Sequence, residues 1–326
     1  MKTQTLLQNL QQKDLISPEQ STLILEYEND KSFSLHYELR TLLYLGITLL
    51  TSGLGVLVYQ NLDTIGHGVI VTLITTITLA CFTFTFWKRE CFTWLEVKNS
   101  HYFSDFVLLL GCASFLILEG YLQFQYDLFG LKYGLVTFIP AILFFFCAYF
   151  FDHRGVLSMA ITAFASWVGV SIAPFSVLEK NSFSAPDFLF TAIILGLVLS
   201  AMGFISEYKN LKKHFSFTYL LLGSNLTLIA TLSGMFSDAN WSVVYALITL
   251  TLCVGLFLYA RKTQSYIFLL MGVIYVYIVL TYLLFKFAEP IINSESVYMF
   301  TMYYFLLSGV GVIVFLMRIK KILKIN

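Results

Sequence analysis

Long apolar runs separated by short polar segments dominate the chain from Arg40 to Arg318. A helix that crosses the hydrocarbon core of a bilayer, about 30 Å thick, needs about 20 apolar residues. Each run is continuously apolar, whereas the strands of a membrane barrel alternate apolar and polar residues. The pattern therefore predicts an all-α, polytopic helical membrane protein with about ten transmembrane helices, at 41–59, 69–87, 106–124, 135–151, 156–178, 188–205, 217–236, 243–260, 266–285 and 300–317.

Composition agrees with this class of protein. Hydrophobic residues make up 58% of the chain and charged residues 12%, whereas a soluble domain carries about 25% charged residues. The segment 1–39 is polar and the first apolar run has full length, so we expect no cleavable signal peptide. Three parts are predicted: a cytoplasmic helical head at 1–39, a ten-helix transmembrane domain at 40–318 and a basic tail at 319–326.

The distribution of basic residues predicts the orientation. Ten spans place both termini on one side, and the 20 Lys and Arg residues divide 17 to 3 between the two sides. Cytoplasmic loops carry the excess of Lys and Arg, so both termini are expected in the cytoplasm. The basic side holds Lys2, Lys13, Lys31, Arg40, Lys88, Arg89, Lys98, Arg154, Lys209, Lys212, Lys213, Arg261, Lys262, Arg318, Lys320, Lys321 and Lys324, and the other side holds Lys132, Lys180 and Lys286.

The head segment contains a helix start at Ser17-Pro18-Glu19-Gln20. Ser as N-cap, Pro at the first helical position and Gln at N3 form the capping-box arrangement. We expect one helix over 3–13 and a second from this start to about Glu28. The segment is acidic, which argues against nucleic acid as a partner.

Two short stretches carry a resemblance to a known family. Residues 14–20, Asp-Leu-Ile-Ser-Pro-Glu-Gln, precede a first span with glycines at Gly46, Gly53 and Gly55, and residues 60–66 read Gln-Asn-Leu-Asp-Thr-Ile-Gly. These features resemble an uncharacterised bacterial family of predicted membrane proteins of unknown function, with Asp14 in place of its Gly and Leu62 in place of its Trp. The resemblance covers the chain from Met1 to about Ile70. It implies a multi-pass protein of the bacterial inner membrane with a short cytoplasmic helical head, and it implies no activity.

Glycines and prolines indicate how the spans pack. Four spans begin alike, with a Leu-rich stretch that ends at Gly46, Gly111, Gly223 or Gly272, where a missing side chain allows close helix approach. A repeated two-span hairpin and two inverted five-span halves are competing schemes, and chance recurrence of Leu and Gly is the third. Pro140 and Pro174 mark spans that are kinked or broken.

Three polar residues are the candidate binding residues. Glu119 is the one charged residue inside a predicted span, and intramembrane carboxylates tend to face a helix interface, a water cavity or a proton path. The alternative is an interfacial position, if the span ends near Tyr121. Asn225 either lines a polar cavity or bonds between helices. Asp63, in the turn after the first span, is either a binding residue or a turn residue.

The sequence offers no signature of catalysis. It has no phosphate-binding loop, nucleophile elbow or His-Glu-x-x-His motif, so we expect no catalytic residues, no metal and no cofactor. Four of the five cysteines fall inside spans, which makes disulfides unexpected. The first hypothesis is a secondary transporter or permease for a small solute or lipid. The alternative is a non-enzymatic assembly or regulatory factor that binds a partner through its head. The oligomeric state stays open.

The charge distribution yields a direct test of topology. Reporter domains fused after Asp63 and after Lys213 are expected on opposite sides of the membrane, because these positions fall in the two different sets of loops. Paired alkaline phosphatase and fluorescent-protein fusions measure this, and equal signals at the two positions would contradict the predicted threading.

Overall fold

The structure is a computed structural model that describes Gln11 and residues 17–29, 36–60, 66–89, 92–96, 102–130, 133–172, 186–288 and 294–323. Across these residues it contains helices, one 3₁₀ turn at Lys213–Phe215 and no strand. The helices are α1 Pro18–Asn29, α2 His36–Gln60, α3 His67–Trp87, α4 Tyr102–Tyr126, α5 Tyr133–Phe151, α6 Arg154–Ile172, α7 Pro186–Lys209, α8 Ser216–Ser237, α9 Ser242–Thr263, α10 Tyr266–Ala288 and α11 Ser294–Ile322.

The predicted fold class is confirmed. Helices α3 to α10 are long and apolar enough to cross a membrane, and α2 and α11 contain the shorter apolar stretches Thr41–Leu57 and Met299–Phe315. Helix surfaces carry many exposed apolar side chains, such as the α9 stripe of Leu247, Val254 and Leu258. Apolar faces of this extent suit contact with lipid.

The chain divides into a unit of residues 1–57 and a unit of residues 58–326. In the first unit, α1 begins with the expected capping box. The Ser17 backbone N–H donates to Gln20 Oε1 at 3.0 Å, and the Gln20 N–H donates to Ser17 Oγ at 3.2 Å. The helix expected over 3–13 lies outside the described residues, apart from Gln11. At Gly46 an added methyl group would meet no atom within 4 Å.

In the second unit, helices that follow one another in sequence pack as antiparallel pairs. One core lies among α4 to α8 and includes Cys112, Phe144, Leu157 and Tyr219, all fully buried. A second core joins α8, α9 and α10 to the end of α11, where Leu323 is buried. The connections α5–α6 and α9–α10 are very short, so adjacent helix ends stay together.

Helices α7 and α8 make the closest approach. A Cβ added to Gly196 would lie 2.6 Å from the Gly223 carbonyl oxygen, and one added to Gly223 would lie 2.7 Å from the Ser200 nitrogen. Both neighbours are backbone atoms and cannot turn aside. Gly223 therefore occupies a contact that excludes a side chain. A Cβ added to Gly111 would lie 3.0 Å from Cys81 Cβ, and one added to Gly272 would lie at ordinary contact distance, 3.6 Å from the Cys253 carbonyl oxygen.

Gly223→Ala is expected to destabilise the helical unit by about 1–3 kcal/mol, because the methyl group forces α7 and α8 apart. Unfolding in detergent, followed by heat or denaturant, measures the loss. Gly255→Ala in α9 is the matched control, since its added Cβ meets no atom within 4 Å. Equal stability of the two variants would contradict the close contact.

Candidate functional site

Glu119 lies on α4, and 5% of the residue is exposed. The helical spacing of Cys112, Phe115 and Glu119 places these residues on one face. That face meets α5. The free thiol of Cys112 contacts the free thiol of Cys147, and the ring centres of Phe115 and Phe144 lie 6.3 Å apart. The residue is therefore buried inside the protein.

The same antiparallel contacts place Glu119 level with Pro140. Glu119 follows Cys112 by two helical turns, and Pro140 precedes Cys147 by the same interval, about 10 Å along each helix. Pro140 is buried within α5. A proline has no N–H, so the Val136 carbonyl one turn earlier has no helical donor. Pro174 lies outside the described residues.

Neither carboxyl oxygen of Glu119 has a hydrogen-bond partner among the described residues. Gln123, Tyr126, Tyr121 and, from another span, Asn225 are the partners that the sequence suggests for this carboxyl group. The Tyr121 hydroxyl bonds His67 Nδ1 at 2.7 Å, and Gln123 bonds Asp127 and the backbone of Phe129. Tyr126 is exposed. The expected partner is thus not seen in this part of the chain.

Asn225 lies on α8 and accepts a hydrogen bond from the Tyr275 hydroxyl of α10 at 2.5 Å. Both residues line a groove of about 510 Å³ between these helices, which is otherwise apolar and includes Leu221, Ile274 and Ile278. Glu119 is not part of this groove. The structure therefore keeps two of the candidate binding residues apart, and Asp63 lies outside the described residues.

A cluster of buried ionisable side chains that the sequence did not single out lies at the end of α5 where Asp152 follows the helix. Asp152 Oδ1 lies 2.8 Å from Lys212 Nζ and 2.7 Å from His214 Nε2. The three side chains are 1–4% exposed. Lys212 Nζ also lies 5.2 Å from the centre of the Phe92 ring, a cation–π contact. This buried ion cluster joins three connections between helices.

Backbone geometry explains how the cluster forms. Asp152 has a positive φ of 58°, and the following His153 N–H bonds back to the Ala148 carbonyl at 3.0 Å, the Schellman ending of a helix. Lys212 also has a positive φ, of 48°, and its N–H donates to the Trp94 carbonyl at 2.9 Å. These turns fix the backbone at Asp152 and at Lys212, so the two side chains are already placed for contact.

The sequence held only a weak signal for this cluster. Asp152, Lys212 and His214 all fall in connections on the basic side, and of the three only Lys212 entered the sequence analysis, as one of the basic residues that indicate topology. An acid beside a basic residue in one short connection is common at span ends. Pairing between connections that are far apart in the chain becomes visible only once α5 and α7 are placed side by side.

Further polar contacts gather at this end. Arg154 bonds Glu96 Oε1 at 2.7 Å, with both side chains more than half exposed. The Tyr259 hydroxyl donates to Glu207 Oε2 at 3.0 Å. Beside them lies a pocket of about 390 Å³ whose lining includes Arg154, Lys213 and His214. Among the described residues no group of three His, Cys, Asp or Glu side chains is arranged to hold a metal ion.

These features define a polytopic helical membrane protein with polar residues buried within it and at one end. Residues 8–157 match the family described as "Predicted membrane protein (DUF2157)". The match confirms the resemblance to a family of predicted membrane proteins of unknown function, and it extends well beyond the N-terminal stretch that carried the motifs. No curated protein and no solved structure matches the chain.

The buried ion cluster predicts a large stability difference. Asp152→Asn is expected to cost about 3–5 kcal/mol, because it leaves the buried Lys212 ammonium without its anion. Adding Lys212→Met is expected to recover part of this loss. Chemical unfolding in detergent measures both. Glu96→Gln, which breaks the exposed pair with Arg154, should cost less than about 1 kcal/mol, and a loss this small in Asp152→Asn would refute the prediction.

Proposed function

We propose that this membrane protein is a secondary transporter or permease for a small solute or lipid, with its N- and C-termini in the cytoplasm of a bacterium. The observation that carries the proposal is the Glu119 carboxyl group, buried in an apolar helix with no partner among the described residues. A buried carboxyl group without a hydrogen bond costs several kcal/mol. An unfavourable burial of this size is expected at a position where the group has a function.

The level of Pro140 supports a proton-carrying role for Glu119. A protonated carboxyl group is a hydrogen-bond donor as well as an acceptor. The Val136 carbonyl, which Pro140 leaves without a helical donor, is the acceptor we assign to it. An ionised carboxylate has no hydrogen to donate and would lose this bond. Protonation would therefore change the contact between α4 and α5 at this depth, which is what coupling of proton movement to transport requires.

The groove around Asn225 supports a ligand with apolar character. Its volume of about 510 Å³ falls in the range of small-molecule sites, which are mostly apolar with a few placed polar groups. Asn225 and Tyr275 supply the polar pair. Their mutual hydrogen bond leaves the amide N–H groups of Asn225 available to a ligand that enters from the bilayer.

Glu119→Gln tests the proposal. In proteoliposomes loaded with a pH-sensitive dye, the wild-type protein is expected to move protons when solutes from a panel are added outside. The variant should lose most of this movement and its dependence on pH, because an amide cannot exchange a proton in this range. The variant should fold normally, since Gln keeps the size of Glu.

Glu96→Gln is the matched control, because it removes an exposed carboxylate from the same protein. Its proton movement should equal that of the wild type. If no solute moved protons, or if Glu119→Gln left the movement unchanged, the transport proposal would fall. The assembly or regulatory factor that binds through its head would then be the better interpretation.

A further inference from the structure

The pocket of about 390 Å³ beside the buried ion cluster combines several sources of positive charge. Arg154 and Lys213 line it together with His214. Arg154 bonds Glu96 through one terminal nitrogen, and a guanidinium has five N–H donors, so it retains donors for a second anion. Lys213 is exposed and forms no ion pair with a described residue.

One carboxylate also lines the pocket, and it is already bound. Glu207 accepts a hydrogen bond from the Tyr259 hydroxyl at 3.0 Å. A carboxylate held by this hydrogen bond still repels an anion. It also directs the anion to the part of the pocket formed by Arg154, Lys213 and His214, where basic groups outnumber it.

Three long helices begin at the pocket. Helix α6 starts at Arg154, α8 at Ser216 and α10 at Tyr266, and residues at or beside the starts of all three line the space. The first N–H groups of a helix have no intrahelical acceptor and carry partial positive charge, which attracts anions. At α6 the Val156 N–H is already bonded to His153 Nδ1 at 3.0 Å, so the helix dipoles add to the basic side chains and do not replace them.

His214 supplies an independent observation. Its side chain is 4% exposed and lines the pocket, with Nε2 at 2.7 Å from Asp152 Oδ1. Its Nδ1 has no hydrogen-bond partner among the described residues. The short distance to Asp152 holds the ring in place, so His214 gives the pocket a fixed polar wall.

We propose that this pocket binds a phosphate group, with Arg154 and Lys213 contacting its oxygens and His214 forming part of the wall. Phosphate oxygens suit both the guanidinium geometry and helix N-termini. Phe217 and Phe268 line the same pocket, with ring centres 5.3 Å apart. The phosphate belongs either to a lipid headgroup or to a free anion. The site does not depend on Glu119 or on transport.

Binding is tested with the full chain in phosphate-free detergent, using inorganic phosphate as the first probe and sodium chloride of equal ionic strength as the reference. The second probe is phosphatidic acid at 20 mol% in phosphatidylcholine nanodiscs, compared with pure phosphatidylcholine. Thermal unfolding and calorimetry report the first, and retention of phosphatidic acid by native mass spectrometry reports the second. A free-phosphate site responds to both probes, and a headgroup site responds to phosphatidic acid alone.

The variants Arg154→Gln and Lys213→Gln, both at exposed side chains that do not contribute to the buried ion cluster, are expected to weaken binding at least tenfold. Lys209→Gln, an exposed basic residue at the end of α7 outside the pocket, should bind within twofold of the wild type. Glu119→Gln should also bind normally, which separates this site from the proposed transport. Failure of both probes to bind, or equal losses in Lys209→Gln and Lys213→Gln, would overturn the proposal.

Discussion

The buried ion pair between Asp152 and Lys212 is the contact on which the packing of the surrounding helix connections depends. A charge removed from water costs several kcal/mol unless an opposite charge meets it, and these two side chains are 1–3% exposed. Their burial is tolerated because each turn fixes its backbone in advance. The α5–α6 connection, the α7–α8 connection and the segment at Trp94 are consequently held together, and the adjacent pocket inherits a fixed wall in His214.

Along the apolar lengths of the helices, close packing stabilises the arrangement, as the ion pair does among the connections. Lipid gives helices no hydrophobic reason to associate, so van der Waals contact and hydrogen bonds between helices decide the arrangement. Gly196 and Gly223 let α7 and α8 touch at the backbone. The Thr249 hydroxyl bonds Thr231 across α8 and α9 at 2.9 Å, and Thr281 bonds Tyr304 across α10 and α11 at 2.5 Å. These hydroxyl pairs join neighbouring helices within their apolar lengths.

Glu119 stands out against that background. Thr and Ser hydroxyls along the helices return hydrogen bonds to their own backbone, as Thr78 does to Ile74 and Thr85 to Cys81. The Glu119 carboxyl group makes no such bond to its own helix, and the nearby Tyr121 and Gln123 already bond other groups. The same contrast separates Glu119 from Asn225, whose amide has found Tyr275. Satisfied polar groups hold helices together, whereas an unsatisfied acid is available for exchange with a proton or a ligand.

The class of protein, the succession of apolar helices and the capping box at Ser17 were predictable from the sequence, because each depends on local composition or on residues within one turn. Glu119 was also singled out, since a charged residue within an apolar run can be recognised without a structure. The sequence suggested four equivalent glycines, but only the tertiary structure separated Gly223, in backbone contact, from Gly46, with no atom near its absent side chain. The burial of Lys212 and the orientation of His214 were likewise decided by packing, because their partner Asp152 belongs to a distant connection of the chain. Local patterns set the elements, and contacts between distant segments set which polar groups are paired and which are left open.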